Sequence, residues 1–160
     1  MTKAERLKVM KDYGFNIPRF VSLNDKELVN WGKFKVPFDA REYIVRSSFS
    51  SEDSKNTFAG VYNSYGPIKR SEIPECLNKI VTDANLSAQY LDKHGIEAIS
   101  SPGAIVQEYI RFDKGGVCVT DYNRNILIET GKSPTDVTAG KNVDDRYLIS
   151  RNLLRTNNDG

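Results

Sequence analysis

The chain has 160 residues, of which 28% are charged and 39% are hydrophobic, and its formal net charge is +2. This composition is typical of a soluble globular protein, and the small net charge argues against nucleic acid or a membrane as the main partner. No apolar run reaches the roughly 18 residues of a membrane span, and the N-terminal residues lack the apolar centre of a signal peptide, so a cytoplasmic location is expected.

Caps and apolar spacing predict one long and two short helices. Thr2 and Glu5 have the spacing of a capping box for a first helix, and Asn24 with Glu27 repeats that spacing for a second. The long helix shows apolar residues at helical spacing from Ile73 onward. Its expected cap and end, and the expected end of the first helix, are Ser71, Gly95 and Gly14.

Short apolar runs between turn residues predict the strands. They cover 17–23, 41–48, 104–110, 116–120, 126–129 and 146–151, with an extended segment within 57–66. Because only short gaps separate the three strands between 104 and 129, these three are predicted to form a meander. Helices set apart from a mainly antiparallel sheet define an α+β fold, expected as one compact domain over 1–151 with a tail over 152–160.

The segment from Tyr43 to Gly60 is the most unusual part of the sequence. A strand ends in Arg46, whose planar guanidinium could hold phosphate oxygens. Ser47 and Ser48 could add hydroxyl donors, and Gly60 would let the backbone approach a ligand closely. From these residues alone, the alternative is a solvated loop with Arg46 in a surface ion pair.

This segment resembles a motif of a known family. Val45 to Ser48, then Glu52 with Asp53, then Phe58 to Gly60 match the order and spacing of VRSSAxxED…SFAG. That pattern occurs in the nucleotide-binding domain of phosphoenolpyruvate synthase, pyruvate phosphate dikinase and rifampin phosphotransferase. The resemblance implies a compact ATP-grasp-like domain that binds ATP with Mg²⁺, with Arg46, Ser47, Ser48 and Gly60 around the phosphates.

Two further matches assign roles to residues outside this segment. Lys3 resembles the lysine of the family's opening GGKxxxL, which makes it a phosphate ligand, although the two glycines are missing here. The alternative for Lys3 is an exposed lysine in the first turn of a helix. Residues Gln107, Glu108, Tyr109 and Ile110 resemble the family's VVVQxMV strand, against which adenine lies, bonded to main-chain groups; an ordinary buried strand is the alternative.

The metal ligands implied by the resemblance are Glu129 and Asp136. Carboxylates at these positions would hold Mg²⁺, which prefers oxygen ligands, against the phosphates. The segment Ser133-Pro134-Thr135 stands where the family has Gly-Leu-Gly. Plain surface charge is the alternative for both carboxylates.

Two functions compete on this reading. The first is an ATP-dependent phosphotransferase that acts on a small molecule or on a partner protein, because the family carries its phosphorylated histidine on a separate domain. His94 lies outside any matching motif and is expected to be a charge partner at a helix end. The second is a non-catalytic nucleotide-binding module, acting as a sensor, sequestering protein or inhibitor.

A third and weaker function is contact with nucleic acid through clustered basic residues. The candidates are Lys33, Lys35, Lys69 and Arg70, with aromatic residues nearby. A solvated charged face is the better explanation of so few charges.

Overall fold

The computed structural model describes residues 2–48, 63–93, 103–120 and 125–150. Two compact units make up the chain, Met1–Ile110 and Arg111–Gly160, and each is described by itself. The α+β class is confirmed, because the described residues contain four α-helices and seven strands in two antiparallel sheets. None of the described helices is both long enough and apolar enough to cross a membrane.

The elements of the first unit begin and end close to the predicted positions. They are α1 (Lys3–Asp12), β1 (Phe20–Leu23), α2 (Asp25–Val29), β2 (Tyr43–Ser47), β3 (Ser64–Ile68), α3 (Ile73–Lys93) and β4 (Ala104–Glu108).

Both predicted capping boxes form. The Thr2 hydroxyl accepts a hydrogen bond from the Glu5 N–H at 3.2 Å, and the Glu5 carboxylate accepts one from the Thr2 N–H at 2.6 Å. Asn24 and Glu27 exchange the same two bonds at the start of α2, at 3.0 and 2.9 Å. Gly14 follows the end of α1 with a φ of +80°, a left-handed conformation that favours glycine.

The start of α3 differs from the prediction. A 3₁₀ turn over Arg70–Glu72 precedes this helix, so Ser71 lies inside the turn and does not cap the helix. The Glu72 carboxylate instead accepts a hydrogen bond from the Lys69 N–H at 2.7 Å, which closes the turn.

The prediction that strand 104–110 joins a meander with the two strands after it is wrong. β4 lies inside the first sheet, whose order is β1-β4-β2-β3, and it pairs antiparallel with β1 on one side and β2 on the other. The physical reason is the apolar run Ala104–Val106, whose residues are fully buried. A strand that is apolar on both faces is stabilised at the centre of a sheet and not in an exposed meander.

One face of this sheet carries the main core of the first unit. By strand alternation, Tyr43 and Val45 share this face with Ala104 and Val106, and α3 packs across it. The helix contributes Ile73, Cys76, Leu77 and Ile80. The other face of the same sheet, named the second face, carries Phe20, Ser22, Ile44, Arg46, Ile105 and Gln107.

The second unit is the meander. Its strands β5 (Gly115–Thr120), β6 (Ile126–Gly131) and β7 (Asp145–Ile149) pair in that order, and α4 (Pro134–Thr138) contacts β5 and β6. The sequence did not predict the short helix α4. Ser133 and Pro134 explain it: the Ser133 hydroxyl accepts a hydrogen bond from the Asp136 N–H at 3.2 Å, and proline suits the first position of a helix.

Candidate functional site

Ser48, one of the predicted phosphate ligands, contacts the first turn of α1, which contains Lys3. The Ser48 N–H donates to the Gly103 carbonyl at 2.9 Å, which extends the pairing of β2 with β4 by one residue. The buried Ser48 Oγ accepts a hydrogen bond from the Ala4 N–H at 3.1 Å, and so the first turn of α1, with Lys3, is held against the end of β2. Lys3 and Ser47 also take part in further interactions.

Gly103 makes this junction possible, although its sequence context indicates only a turn. A Cβ atom at this position would lie 2.8 Å from the Ser48 carbonyl oxygen and 3.1 Å from the Leu23 carbonyl oxygen. Both oxygens belong to the backbone of neighbouring strands, which cannot move away separately. Only glycine therefore lets the start of β4 approach the ends of β1 and β2 this closely.

The N-terminus of α1 is closed by protein groups. Beyond the capping box and the bond from Ala4 to Ser48, the Arg6 N–H donates to the Thr2 carbonyl at 3.0 Å. The main-chain N–H groups of Ala4, Glu5 and Arg6 therefore already have acceptors within the protein.

Arg46 is half-buried on the second face. Its Cα partners across the sheet are Ile105 on β4 and Ser64 on β3. Among the residues that the structure describes, no carboxylate forms an ion pair with its guanidinium, so the surface ion pair that is the alternative role for Arg46 is not found there. A partly buried cation without a counter-charge is a favourable place for an anionic ligand, because burial of an unpaired charge costs free energy.

Gln107 carries the second unsatisfied group of this face. Its side chain is 8% exposed, and its Oε1 atom is buried without a hydrogen-bond partner. Gln107 lies opposite Ile44, so Arg46, two residues along β2, is its diagonal neighbour on the same face. Diagonal neighbours in a sheet are within reach of long side chains. The strand register therefore places Arg46 and Gln107 on the same face, without a hydrogen bond between their side chains.

Several main-chain groups of the predicted adenine-binding strand are bonded within the sheet and its extensions. The Glu108 N–H donates to the Arg19 carbonyl at 2.8 Å, and the Tyr109 N–H donates to the Glu42 carbonyl at 2.9 Å. Gln107 is paired on both sides of β4. Ile110 is half exposed, beyond the end of β4.

Glu108 forms a bidentate ion pair that the sequence did not predict. Arg19 donates from Nε at 2.9 Å and from a terminal nitrogen at 3.0 Å to the two carboxylate oxygens. These hydrogen bonds lower the pKa of Glu108, and the charge of Arg19 adds to the effect. The two residues lie 89 positions apart, so no local sequence pattern links them.

The ion pair of Arg19 with Glu108 should make the stability of the protein depend on pH. The pKa of Glu108 is lower in the folded chain than in the unfolded one. The ionised carboxylate therefore adds to the free energy of unfolding above the unfolded pKa of roughly 4.3, and this contribution is lost as the pH falls through the pKa of the folded chain. We expect Glu108→Gln to unfold more easily than the wild type at neutral pH, with the difference closing below about pH 4. Urea unfolding at several pH values measures this difference in stability. The difference between the wild type and Arg19→Gln should also close at low pH. A difference that does not depend on pH would contradict the prediction.

The predicted metal ligands of the second unit are engaged with neighbouring side chains. Arg146 donates to the Glu129 carboxylate at 2.7 Å, and Asn142 donates to the Asp136 carboxylate at 3.1 Å. The described residues include no group of three or more His, Cys, Asp or Glu side chains placed to hold a metal ion. As they stand, these residues do not fit a Mg²⁺ site, because an arginine already neutralises the first carboxylate.

The remaining predicted residues fall outside the described part of the chain. They are Glu52, Asp53, Phe58, Gly60 and His94, together with the tail over 152–160.

Comparison of the chain with protein-family models, with curated proteins and with solved structures finds no match.

Proposed function

We propose that the chain binds ATP, with the phosphates held at the second face of the first unit's sheet. The observation that carries this proposal is that two groups without partners lie on that face. Arg46 supplies a half-buried guanidinium without a carboxylate partner among the described residues, and Gln107 supplies a buried amide oxygen without a donor. The motif around Arg46, which resembles that of phosphoenolpyruvate synthase and its relatives, supports the same ligand.

Each group has a stated task in this proposal. The Arg46 guanidinium donates to phosphate oxygens, with Lys3 and the Ser48 hydroxyl beside it. The Gln107 side chain turns out of its buried position when the ligand binds, and its Oε1 atom then accepts a hydrogen bond from an N–H group of the ligand, such as the amino group of adenine.

The residues of the second unit favour ATP binding without turnover. Glu129 is paired with Arg146, and the stretch that would be a glycine-rich loop in the family forms α4. ATP-dependent phosphoryl transfer to a small molecule or to a partner protein remains the second candidate. It is supported by Arg46, which could stabilise charge on the transferred phosphoryl group. The cytoplasmic location stays a prediction.

Calorimetric titration with ATP tests the proposal. We expect saturable binding, and we expect it to persist when EDTA removes divalent cations, because the proposed contacts to the nucleotide come from side chains. Nucleotide analysis after long incubation separates the two forms: unchanged ATP supports a binding module, whereas ADP or AMP supports a phosphotransferase. Absence of binding by ATP, GTP and ADP alike would refute both.

A further inference from the structure

A cavity of about 300 Å³ opens beside the start of α3, in the first unit. Trp31 and Phe34 form aromatic parts of its wall, and Lys35 and Arg70 are the cations beside it. The Trp31 indole N–H donates to the Asn78 side chain at 2.9 Å, which fixes the orientation of the ring. The other lining residues are Gly32, Val36, Ile73, Pro74 and Leu77.

A second cavity, of about 340 Å³, shares Phe34 with the first. Its other lining residues are Lys26, Glu27, Asn30 and Lys33. The two cavities are therefore neighbours along one surface, with an aromatic ring common to both and lysines beside each. We call this surface, lined by Lys26, Trp31, Lys33, Phe34, Lys35 and Arg70, the basic-aromatic surface.

The charges of the basic-aromatic surface are predominantly positive, and its three lysines are available. No ion pair joins Lys26, Lys33 or Lys35 to any residue that the structure describes. Two carboxylates of this region make contacts within the protein. Glu27 accepts a hydrogen bond from the Asn24 N–H at the start of α2, and Asp39 is paired with Arg70.

We propose that the basic-aromatic surface binds single-stranded nucleic acid, independently of the ATP site. Bases stack on aromatic side chains and phosphates are drawn to lysines, and such surfaces combine the two at short spacing. Two neighbouring cavities that share one ring suit two successive bases of a strand. From the sequence, a solvated face was the better explanation of these charges. In the structure they are grouped around two cavities with aromatic walls.

The single tryptophan of the chain gives a direct measurement. Because Trp31 lines the first cavity and the sequence has one Trp, quenching of its fluorescence reports binding at this surface. We expect an eight-residue oligothymidylate to quench it saturably at low salt, with an affinity that falls as salt rises. Thymidine monophosphate should bind at least about tenfold more weakly, because it offers one base and one phosphate.

Two substitutions test the role of the lysines. Lys33→Ala with Lys35→Ala should weaken binding of the oligonucleotide by about tenfold and reduce the slope of log affinity against log salt by about 1.4, at about 0.7 for each phosphate that a lysine no longer neutralises. Lys11→Ala removes an exposed lysine of α1 and should leave binding and slope unchanged. Phe34→Leu should weaken binding by about tenfold because the ring is no longer there for a base to stack on.

Three results with the oligonucleotide would overturn the proposal, and a fourth concerns the monophosphate. They are absence of quenching at low salt, an unchanged salt slope in the double variant, and equal displacement by polyglutamate, which would mark the surface as a site for acidic peptides. Equal affinity for thymidine monophosphate would also reject a strand as the ligand. Arg46→Gln should bind the oligonucleotide like the wild type. Loss of oligonucleotide binding and loss of ATP binding are therefore separate results, each of which tests one proposal.

Discussion

Replacing Arg46 by glutamine is expected to weaken ATP binding by about ten- to a hundredfold. A hydrogen bond to a charged group contributes about 1.5–3 kcal/mol, and the substitution removes the charge while keeping a polar side chain of similar reach. Folding should be little affected, because the substitution breaks no ion pair to the described residues. Calorimetric titration with ATP measures the change in affinity.

Arg41→Gln is the matched control for this experiment. Arg41 precedes β2 and is exposed, so the same loss of charge occurs outside the second face. We expect its affinity to stay within about twofold of the wild type. If Arg46→Gln and Arg41→Gln bind ATP equally well, Arg46 is not part of the site, even when the wild type binds the nucleotide.

Gln107→Leu is expected to stabilise the ligand-free chain and to weaken ATP binding at the same time. Leucine is close to glutamine in size and removes the buried Oε1 atom that lacks a donor. Relief of one unsatisfied buried group should raise the free energy of unfolding by about 1 kcal/mol. Removal of the hydrogen bond to the ligand should lower the affinity by about three- to tenfold, since a neutral bond contributes about 0.5–1.5 kcal/mol.

Urea unfolding followed by Trp31 fluorescence measures the first effect, because Trp31 lies in the same unit as Gln107. Calorimetry measures the second. Ser22→Val serves as the control, since Ser22 is a half-buried polar residue of the same face, and both quantities should change little there. A less stable Gln107→Leu variant would mean that the amide is bonded in the folded protein, and Oε1 would then be withdrawn from the site.

Opposite effects on stability and on binding would identify Gln107 as a group kept for a ligand. A residue that serves the fold alone loses stability when its polar group is removed. A residue that serves a ligand keeps an unsatisfied group in the empty protein and satisfies it on binding. The two measurements therefore distinguish these roles without a structure of the complex.

The candidate site was predicted from the sequence only in part. Arg46 could be identified because it ends a strand and begins an uncommon polar segment. The role that we propose for the Gln107 side chain could not be predicted, because it depends on which strands flank β4. The pair of Arg19 with Glu108 was equally hidden, since it joins β4 to the residue that precedes β1.

The sequence by itself determined the features that depend on residues close together in the chain, namely helix starts and strand positions. Thr2 with Glu5 and Asn24 with Glu27 begin α1 and α2 as predicted, because a capping box closes within four residues. Strand positions follow from apolar runs for the same local reason. Only the tertiary structure decided that β4 lies between β1 and β2, because strand partners are chosen by burial of both faces and not by nearness in the chain. That choice places Arg46 and Gln107 on one face.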